Sequence, residues 1–237
     1  MTDYNQNQQA LIKSPWLRGL TAAMPIVLGY LPIGFAFGVL AEKAGLLTIH
    51  IVLMSVIVFA GSAQLIAVGL FSAQIAPLSI IVTTFIVNLR HLLFSAAIFP
   101  NLAHWRKTEL AGFAYELTDE TFALHSTRFS KHKIEKAEVF AINVTAHIAW
   151  IAGSLLGAAA GGLVVEIEPL ALDFVLPAMF IALLVMQTKK YAQMITAVVA
   201  GFTSVALLLL GFSQLHVIIA TVVGATFGAW IEGWKQT

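Results

Sequence analysis

The 237-residue chain is 59% hydrophobic, only 11% charged, and has a formal net charge of +1. Soluble domains carry about 25% charged residues, so this composition, with a mean hydropathy of +0.88, excludes a soluble globular domain and predicts an all-α, polytopic transmembrane bundle. The near-neutral charge without a basic patch excludes a nucleic-acid partner, and the absence of cysteine excludes disulfides, zinc–thiolate sites and thiol nucleophiles.

Residues 1–16 form a polar tail rich in Gln and Asn, without the charged, apolar and small-residue layout of a cleavable signal. Residues 17–237 read as one transmembrane domain, with halves of about 17–127 and 137–234. The first span runs from about Leu17 to Ala41. Pro32 removes a backbone donor beside Tyr30 and clashes with the carbonyl of Leu28. Gly34 and Gly38 form a Gly-xxx-Gly face. Two readings stand: a kinked, tightly packed helix, or a broken helix lining a substrate site. The second span, about Ile49 to Phe71, carries Phe59-Ala60-Gly61-Ser62-Ala63-Gln64 at its middle. The small residues suit either close packing or a helix that unwinds and presents its backbone, as in discontinuous transporter helices. Gln64 needs hydrogen-bond partners at that depth.

The third span runs from about Leu78 to Phe99. Arg90 lies ten residues before Pro100, roughly 15 Å from the end of the run and near the middle of a bilayer core about 30 Å thick. A guanidinium there costs from about 3 to over 10 kcal/mol if it faces lipid. Either the span ends before Arg90, or Arg90 faces a protein interior with a partner and some water, as an ion pair or as a ligand-binding group. Thr84, Asn88, His91 and Ser95 share one helix face and form a polar seam.

The segment 108–126 is acidic, with Glu116, Asp119, Glu120 and Ala123 on one helical face. It reads either as a surface helix or as an embedded polar helix beside Arg90 and His91. Arg128, Lys131, Lys133 and Lys136 follow as a basic loop. The next span, about Ala137 to Val165, carries a second seam of Asn143, His147, Trp150 and Ser154, beside Gly153-xxx-Gly157. Glu166 and Glu168 close it. Three further spans run from about Leu172 to Met186, Ala192 to Leu210 and His216 to Trp230. The total is seven apolar spans plus one polar, embedded helix, with discontinuous helices among them. Whether 108–126 crosses decides the side of the N-terminus; both alternatives place the C-terminus in the cytoplasm. The Gly34-xxx-Gly38 and Gly153-xxx-Gly157 echo is the kind of pairing that transporter repeats leave in a sequence.

No His-Glu-xx-His, Gly-x-Ser-x-Gly, Walker or dinucleotide-binding pattern occurs. No cofactor and no metal are expected, and a non-enzymatic role is. Broken helices, polar seams and intramembrane titratable groups point to a secondary transporter. A passive channel for small polar solutes or, further off, an intramembrane enzyme are the alternatives.

Four stretches carry a family resemblance. They are Pro25 with Gly29-Tyr30-Leu31-Pro32-Ile33-Gly34 and Gly38, Phe59-Ala60-Gly61-Ser62-Ala63-Gln64, Asn88-Leu89-Arg90-His91, and Leu117-Thr118-Asp119-Glu120-Thr121-Phe122-Ala123-Leu124. In this order they resemble the AzlC-like branched-chain amino acid permease (azaleucine-resistance, valine exporter) family. The resemblance implies export of valine-like amino acids across a bacterial cytoplasmic membrane, driven by an ion gradient. It also implies a small hydrophobic AzlD-like partner subunit. On this reading Arg90, or a helix N-terminus at Gly61 and Ser62, takes the substrate carboxylate. Asp119 or Glu120 faces the ammonium or carries a proton with His91, and Tyr30 and Phe59 line the side-chain pocket. Gln64, Asn88, Asn143 and His147 complete the candidate set of substrate-binding or gating residues. Arg90 and Asp119 pairing as a gate is the competing arrangement.

Overall fold

A computed structural model describes residues 14–130, 134–164, 174–188, 190–211 and 216–234. The polar tail up to residue 13, the basic residues Lys131 and Lys133, and Glu166, Glu168 and Asp173 lie outside the described residues. All regular structure among the described residues is helical. Contacts divide the chain into two compact units, meeting between Phe180 and Ile181.

The frame of the first unit is a pair of long helices, α1 (Pro15–Lys43) and α8 (Lys136–Ala160). Their glycines let the backbones touch. A Cβ on Gly34 would stand 3.0 Å from the Trp150 carbonyl oxygen, and one on Gly153 would stand 2.6 Å from that of Leu31. On Gly38 and Gly157 it would meet the Ser154 and Phe35 carbonyls more closely still. Gly19 faces Glu138 and Ala141, Gly34 faces Trp150 to Ser154, and Gly38 faces Ser154 to Ala158. The numbers rise together, so α1 and α8 run parallel. The glycine echo in the sequence is this interface. α1 is also continuous through Pro32, which favours the tightly packed helix of the two readings over the broken one. Pro25 and Pro32 are seven residues apart and both exposed. They share the outer face, away from the glycines, and leave the α8 contact intact.

One end of this frame is tied by charge. Glu138, buried, pairs with Arg18 at 3.0 Å and closely with Arg128. Arg18 also reaches Glu135 at 2.7 Å, and Lys136 reaches Glu109 at 2.6 Å. The Lys136 bond holds the Glu109 carboxyl below the usual carboxylate range. This "arginine end" fixes the direction of everything between α1 and α8.

Beyond Lys43 the chain forms α2 (Thr48–Leu53) and a π turn (Met54–Val58). It breaks at Phe59 and Ala60, then restarts as α3 (Gly61–Ser72). α4 (Pro77–Asn88) and α5 (Arg90–Leu102) follow as one long apolar stretch kinked at Leu89. Trp105 stacks on Phe140 at 5.7 Å, and Leu102 and Trp105 share a cluster with Phe113 and Val139. α5 therefore ends at the arginine end. From the Lys43 end to the arginine end takes one crossing, and α4–α5 supplies it. The segment 48–72 must then turn back on itself. It is a hairpin of two half-length arms, each about 16–18 Å long, with Phe59 and Ala60 at its tip. Hydropathy had predicted a spanning helix over Ile49 to Phe71, and this is a correction.

The acidic segment does the same from the opposite face. It is two helices, α6 (Lys107–Tyr115) and α7 (Asp119–Phe129). The rings of Phe113 and His125 lie 5.3 Å apart, where one straight helix would separate them by roughly 18 Å. Glu109 and Arg128 both bond the start of α8, so the segment enters and leaves at the arginine end. Leu117, Thr118, Asp119, Thr121 and His125 are buried. It is neither a surface helix nor a single spanning helix, and Glu116 does not share a helix with Asp119.

Among the described residues four stretches are long and apolar enough to cross a membrane: Pro15–Lys43, Pro77–Leu102, Lys136–Leu163 and Tyr191–Leu209, with a shorter apolar stretch at Ile219–Ile231. Neither topology drawn from hydropathy anticipated two segments that fold back. α9 (Val175–Gln187) contains the boundary between units. In the second unit α10 (Tyr191–Leu209) and α11 (His216–Trp234) pack antiparallel, Gly224 against Ala200 and Gly228 against Thr196.

Gly157→Ala should push Phe35 and α1 away from α8, an overpacking cost of about 1–3 kcal/mol. The purified protein should melt at a lower temperature. Gly29→Ala, with nothing within 4 Å of the added carbon, should melt no lower than the parent.

Candidate functional site

The two hairpin tips meet between α1, α5 and α8, at mid-depth of the first unit. The first tip turns on Phe59, whose backbone is left-handed at φ 42°. For a bulky residue this costs about 1–3 kcal/mol and marks a constrained site. The strain is held by packing: the Phe59 ring stacks on His147 at 3.9 Å and meets Tyr30 edge-on at 6.3 Å. Breaking the helix frees backbone groups that side chains must satisfy. Ser55 O lies 3.0 Å from His147 Nε2, Val56 O accepts from the Tyr115 hydroxyl, and Ala60 N donates to Gln64 Oε1 at 3.2 Å. Gln64 also accepts from Trp150 Nε1 at 3.1 Å and donates to Ser55 Oγ at 3.3 Å, and Ser55 Oγ donates to Ser154 at 2.7 Å.

The second tip ends in a helix start. Thr118 caps α7, with Thr121 returning a bond to Thr118 N at 2.8 Å. Asp119 and Glu120 occupy its first turn, where the helix dipole favours carboxylates. Asp119 pairs with Arg90 at 2.9 Å, and the same guanidinium nitrogen donates to Ser62 Oγ in the first turn of α3. Tyr30 donates to Glu120 at 2.6 Å and lies 2.6 Å from Thr118 Oγ1. His147 Nδ1 lies 3.1 Å from Glu116 Oε1. One arginine thus joins α5, the start of α3 and the start of α7.

These residues enclose a small void lined by Tyr30, Phe59, Gly61, Ser62, His91 and Glu120, together with Ala60, Thr118, Asp119 and Trp150. Its free volume is about 10 Å³, room for about one water. Arg90 Nε, His91 Nε2 and Asn88 Oδ1 are buried without hydrogen-bond partners. The N–H groups of the first turn of α3 have no partner within their own helix. The centre therefore combines a cation, two carboxylates, two converging helix N-termini and an aromatic wall.

The structure brings Tyr30, Phe59, Gly61, Ser62, His91, Asp119 and Glu120 together around this void, with Arg90 bonded to Ser62 and Asp119 of its lining. It places Gln64 behind the first tip as a backbone support, and His147 between the tips. Asn88 sits one turn before His91 on the half-buried seam of α4–α5. Asn143 lies elsewhere: its Oδ1 is 2.7 Å from His125 Nε2, in the α7–α8 contact. Sequence reasoning missed Thr118, Tyr115 and the Glu138 cluster. The run Thr118-Asp119-Glu120-Thr121 carries a signal that would have found the second tip, since Thr followed by acidic residues is a helix-start signature. Nothing comparable marks Glu138, which reads as a charge at the very start of the next span. Among the described residues no three of His, Asp and Glu are grouped to hold a metal.

Residues 25–164 match the family described as AzlC protein. The chain belongs to the AzlC family. It is 31% identical to an uncharacterized membrane protein of Archaeoglobus fulgidus over 224 residues, covering 93% of this chain and 98% of that one. It is 26% identical to the branched-chain amino acid transport protein AzlC of Bacillus subtilis, over 89% of this chain and 83% of that one. To the inner membrane protein YgaZ of Escherichia coli it is 27% identical, over 97% and 95%. No solved structure matches this AzlC-family chain. With the apolar helices described above, these relatives make it a membrane protein of a transport family. The matched residues cover both hairpins and Arg90.

Arg90 and Asp119 are mostly buried, with side-chain exposures of 20% and 11%. Removing one partner of such a pair costs about 3 kcal/mol, the low end of the range for buried pairs because Arg90 keeps some exposure. Arg90→Ala and Asp119→Ala should each lower the melting temperature of the purified protein. The double variant should lose clearly less than the sum, because it leaves neither charge alone.

Proposed function

We propose that this chain is the transport subunit of a secondary carrier that exports branched-chain, valine-like amino acids, driven by the proton gradient. The single observation that carries this reading is the Arg90–Asp119 pair at 2.9 Å, set between the starts of α3 and α7. A cation and an anion side by side are the complement of a zwitterion. The α-carboxylate of an amino acid would take Arg90 and the N–H groups of Gly61 and Ser62, while its ammonium would face Asp119 and Glu120. The internal ion pair is what the empty site makes with itself, and substrate exchanges with it charge for charge. Phe59, Tyr30 and Trp150 offer an apolar wall to an aliphatic side chain. The name of the Bacillus subtilis relative, a branched-chain amino acid transport protein, supports the substrate class.

A void of about 10 Å³ cannot pass a solute, which favours a carrier that opens by turns over a standing pore. The two hairpins, entering from opposite faces, are the natural gates: each tip covers the centre from its own side. Arg18, Arg106, Lys107, Arg128 and Lys136 gather at the arginine end, against Lys43 at the other. The positive-inside rule then orients the arginine end to the cytoplasm, in a bacterial inner membrane. A small hydrophobic AzlD-like subunit completes the transporter in this proposal.

The test is efflux of radiolabelled valine from cells expressing the chain together with that subunit. Losing a charge-assisted bond of about 1.5–3 kcal/mol weakens binding roughly 10- to 100-fold, so Arg90→Ala should abolish efflux at low internal valine. Undiminished efflux from a well-expressed Arg90→Ala variant contradicts the assignment.

A further inference from the structure

Besides Arg90, His147 also reaches both hairpins at their tips through hydrogen-bonding distances. Its Nε2 lies 3.0 Å from Ser55 O on the first, and its Nδ1 lies 3.1 Å from Glu116 Oε1 and 3.1 Å from Glu116 Oε2 on the second. The protons of this contact can be counted. A backbone carbonyl accepts only, so Nε2 carries a hydrogen. Nδ1 faces a carboxyl group at hydrogen-bond distance, which requires one more hydrogen between them. It sits either on Nδ1, making an imidazolium beside a carboxylate, or on Glu116, donating to a neutral ring. Both forms hold the same number of protons and are neutral overall. If that shared proton leaves, the lone pair of Nδ1 faces a carboxylate at 3.1 Å and the contact becomes repulsive.

We infer that the Glu116–His147 pair is the proton-binding site that couples the proton gradient to hairpin movement. The proton holds the tips together and its departure releases them. This rests on the carrier reading above. The pair is separate from the charges that face substrate. Asp119 and Arg90 hold each other, and Glu120 accepts from Tyr30. His91 lines the central void from α5, and His125 on α7 pairs with Asn143 one turn before His147. From α6, Tyr115 meets the His147 ring at 6.0 Å and donates to Val56 O, a second bond across the same junction. The first hairpin offers the pair the Ser55 carbonyl and the Phe59 ring, with no titratable side chain among its described residues at the contact. Glu116 is thus the carboxylate left to His147. The junction it closes includes the left-handed turn at Phe59, so a change of one proton acts on the strained point of the first tip. A ligand that binds one of two conformations shifts the equilibrium toward it, and here the ligand is the proton.

The test uses the chain with its partner subunit in proteoliposomes, with valine as probe. Glu116→Gln mimics the proton-loaded pair, because the amide can donate to Nδ1 at any pH. Valine–valine exchange should slow and lose its dependence on pH, because the tips stay held at every pH. Accumulation of valine driven by a pH gradient should fall to passive equilibration, and valine should no longer move protons detected by an internal pH dye. Gradient-driven accumulation equal to the parent's would overturn the proposal. Should Glu116→Gln fail to fold, Glu116→Asp keeps a titratable group at a longer distance. It should shift the pH midpoint of accumulation, and an unchanged midpoint would overturn the proposal equally. Saturable valine exchange by the parent tests the carrier reading on its own, so its absence is distinguishable from a failure of the coupling site.

Discussion

A helix that stops in the middle of a bilayer leaves backbone groups that lipid cannot satisfy. In this protein that constraint organises the centre. The first hairpin breaks at Phe59, and the freed carbonyls of Ser55 and Val56 go to His147 on α8 and Tyr115 on α6. The freed N–H of Ala60 goes to Gln64. Two of the three groups that repair the first hairpin therefore belong to the other hairpin and to the frame. The second tip caps itself through Thr118 and Thr121, so it is the first tip whose backbone depends on its neighbours.

Around this junction the two kinds of contact differ in stiffness. α1 and α8 touch backbone to backbone through Gly34, Gly38, Gly153 and Gly157, an interface that gains dispersion contact at every turn and has no room to slide. The hairpin tips are held by a few directional polar bonds and one strained residue. Such bonds can be exchanged for bonds to a substrate at little net change, since one charged partner replaces another. The division gives the protein a rigid frame with two replaceable closures. Arg90 connects them, and its cost in an apolar stretch is offset by Asp119 and Ser62 from the two tips.

Much of this was legible before the fold was known. The expense of Arg90 in an apolar run kept it from facing lipid and made a partner one of the readings, and Asp119 is that partner. The small residues at Gly61 and Ser62 and the amide of Gln64 marked a helix able to break, and α3 starts there. The fold-back of both hairpins was not legible. Residues 49–71 are long and apolar enough to cross, and hydropathy carries no information on whether a chain reverses at Phe59. The direction follows only from contacts distant in sequence, such as Trp105 on Phe140. Likewise Pro32 allows a break by local rules, but α1 continues through it with its glycine face packed on α8. Asn143 and His147 lie four apart and read as one seam, yet they meet different partners because α7 runs back from the tip: Glu116 at the tip meets His147, and His125 further along α7 meets Asn143.

The measurement that most directly tests the two-hairpin arrangement is the sidedness of its four bases. The chain has no cysteine, so single cysteines can be placed at Ala44, Ala73, His104 and Ser130 and labelled in intact cells with an impermeant maleimide. The fold predicts that Ala44→Cys and Ala73→Cys label from one side, and that His104→Cys and Ser130→Cys are both protected until the membrane is opened. Labelling of Ala44→Cys and Ala73→Cys from opposite sides would mean that residues 48–72 cross the membrane, and would contradict the account.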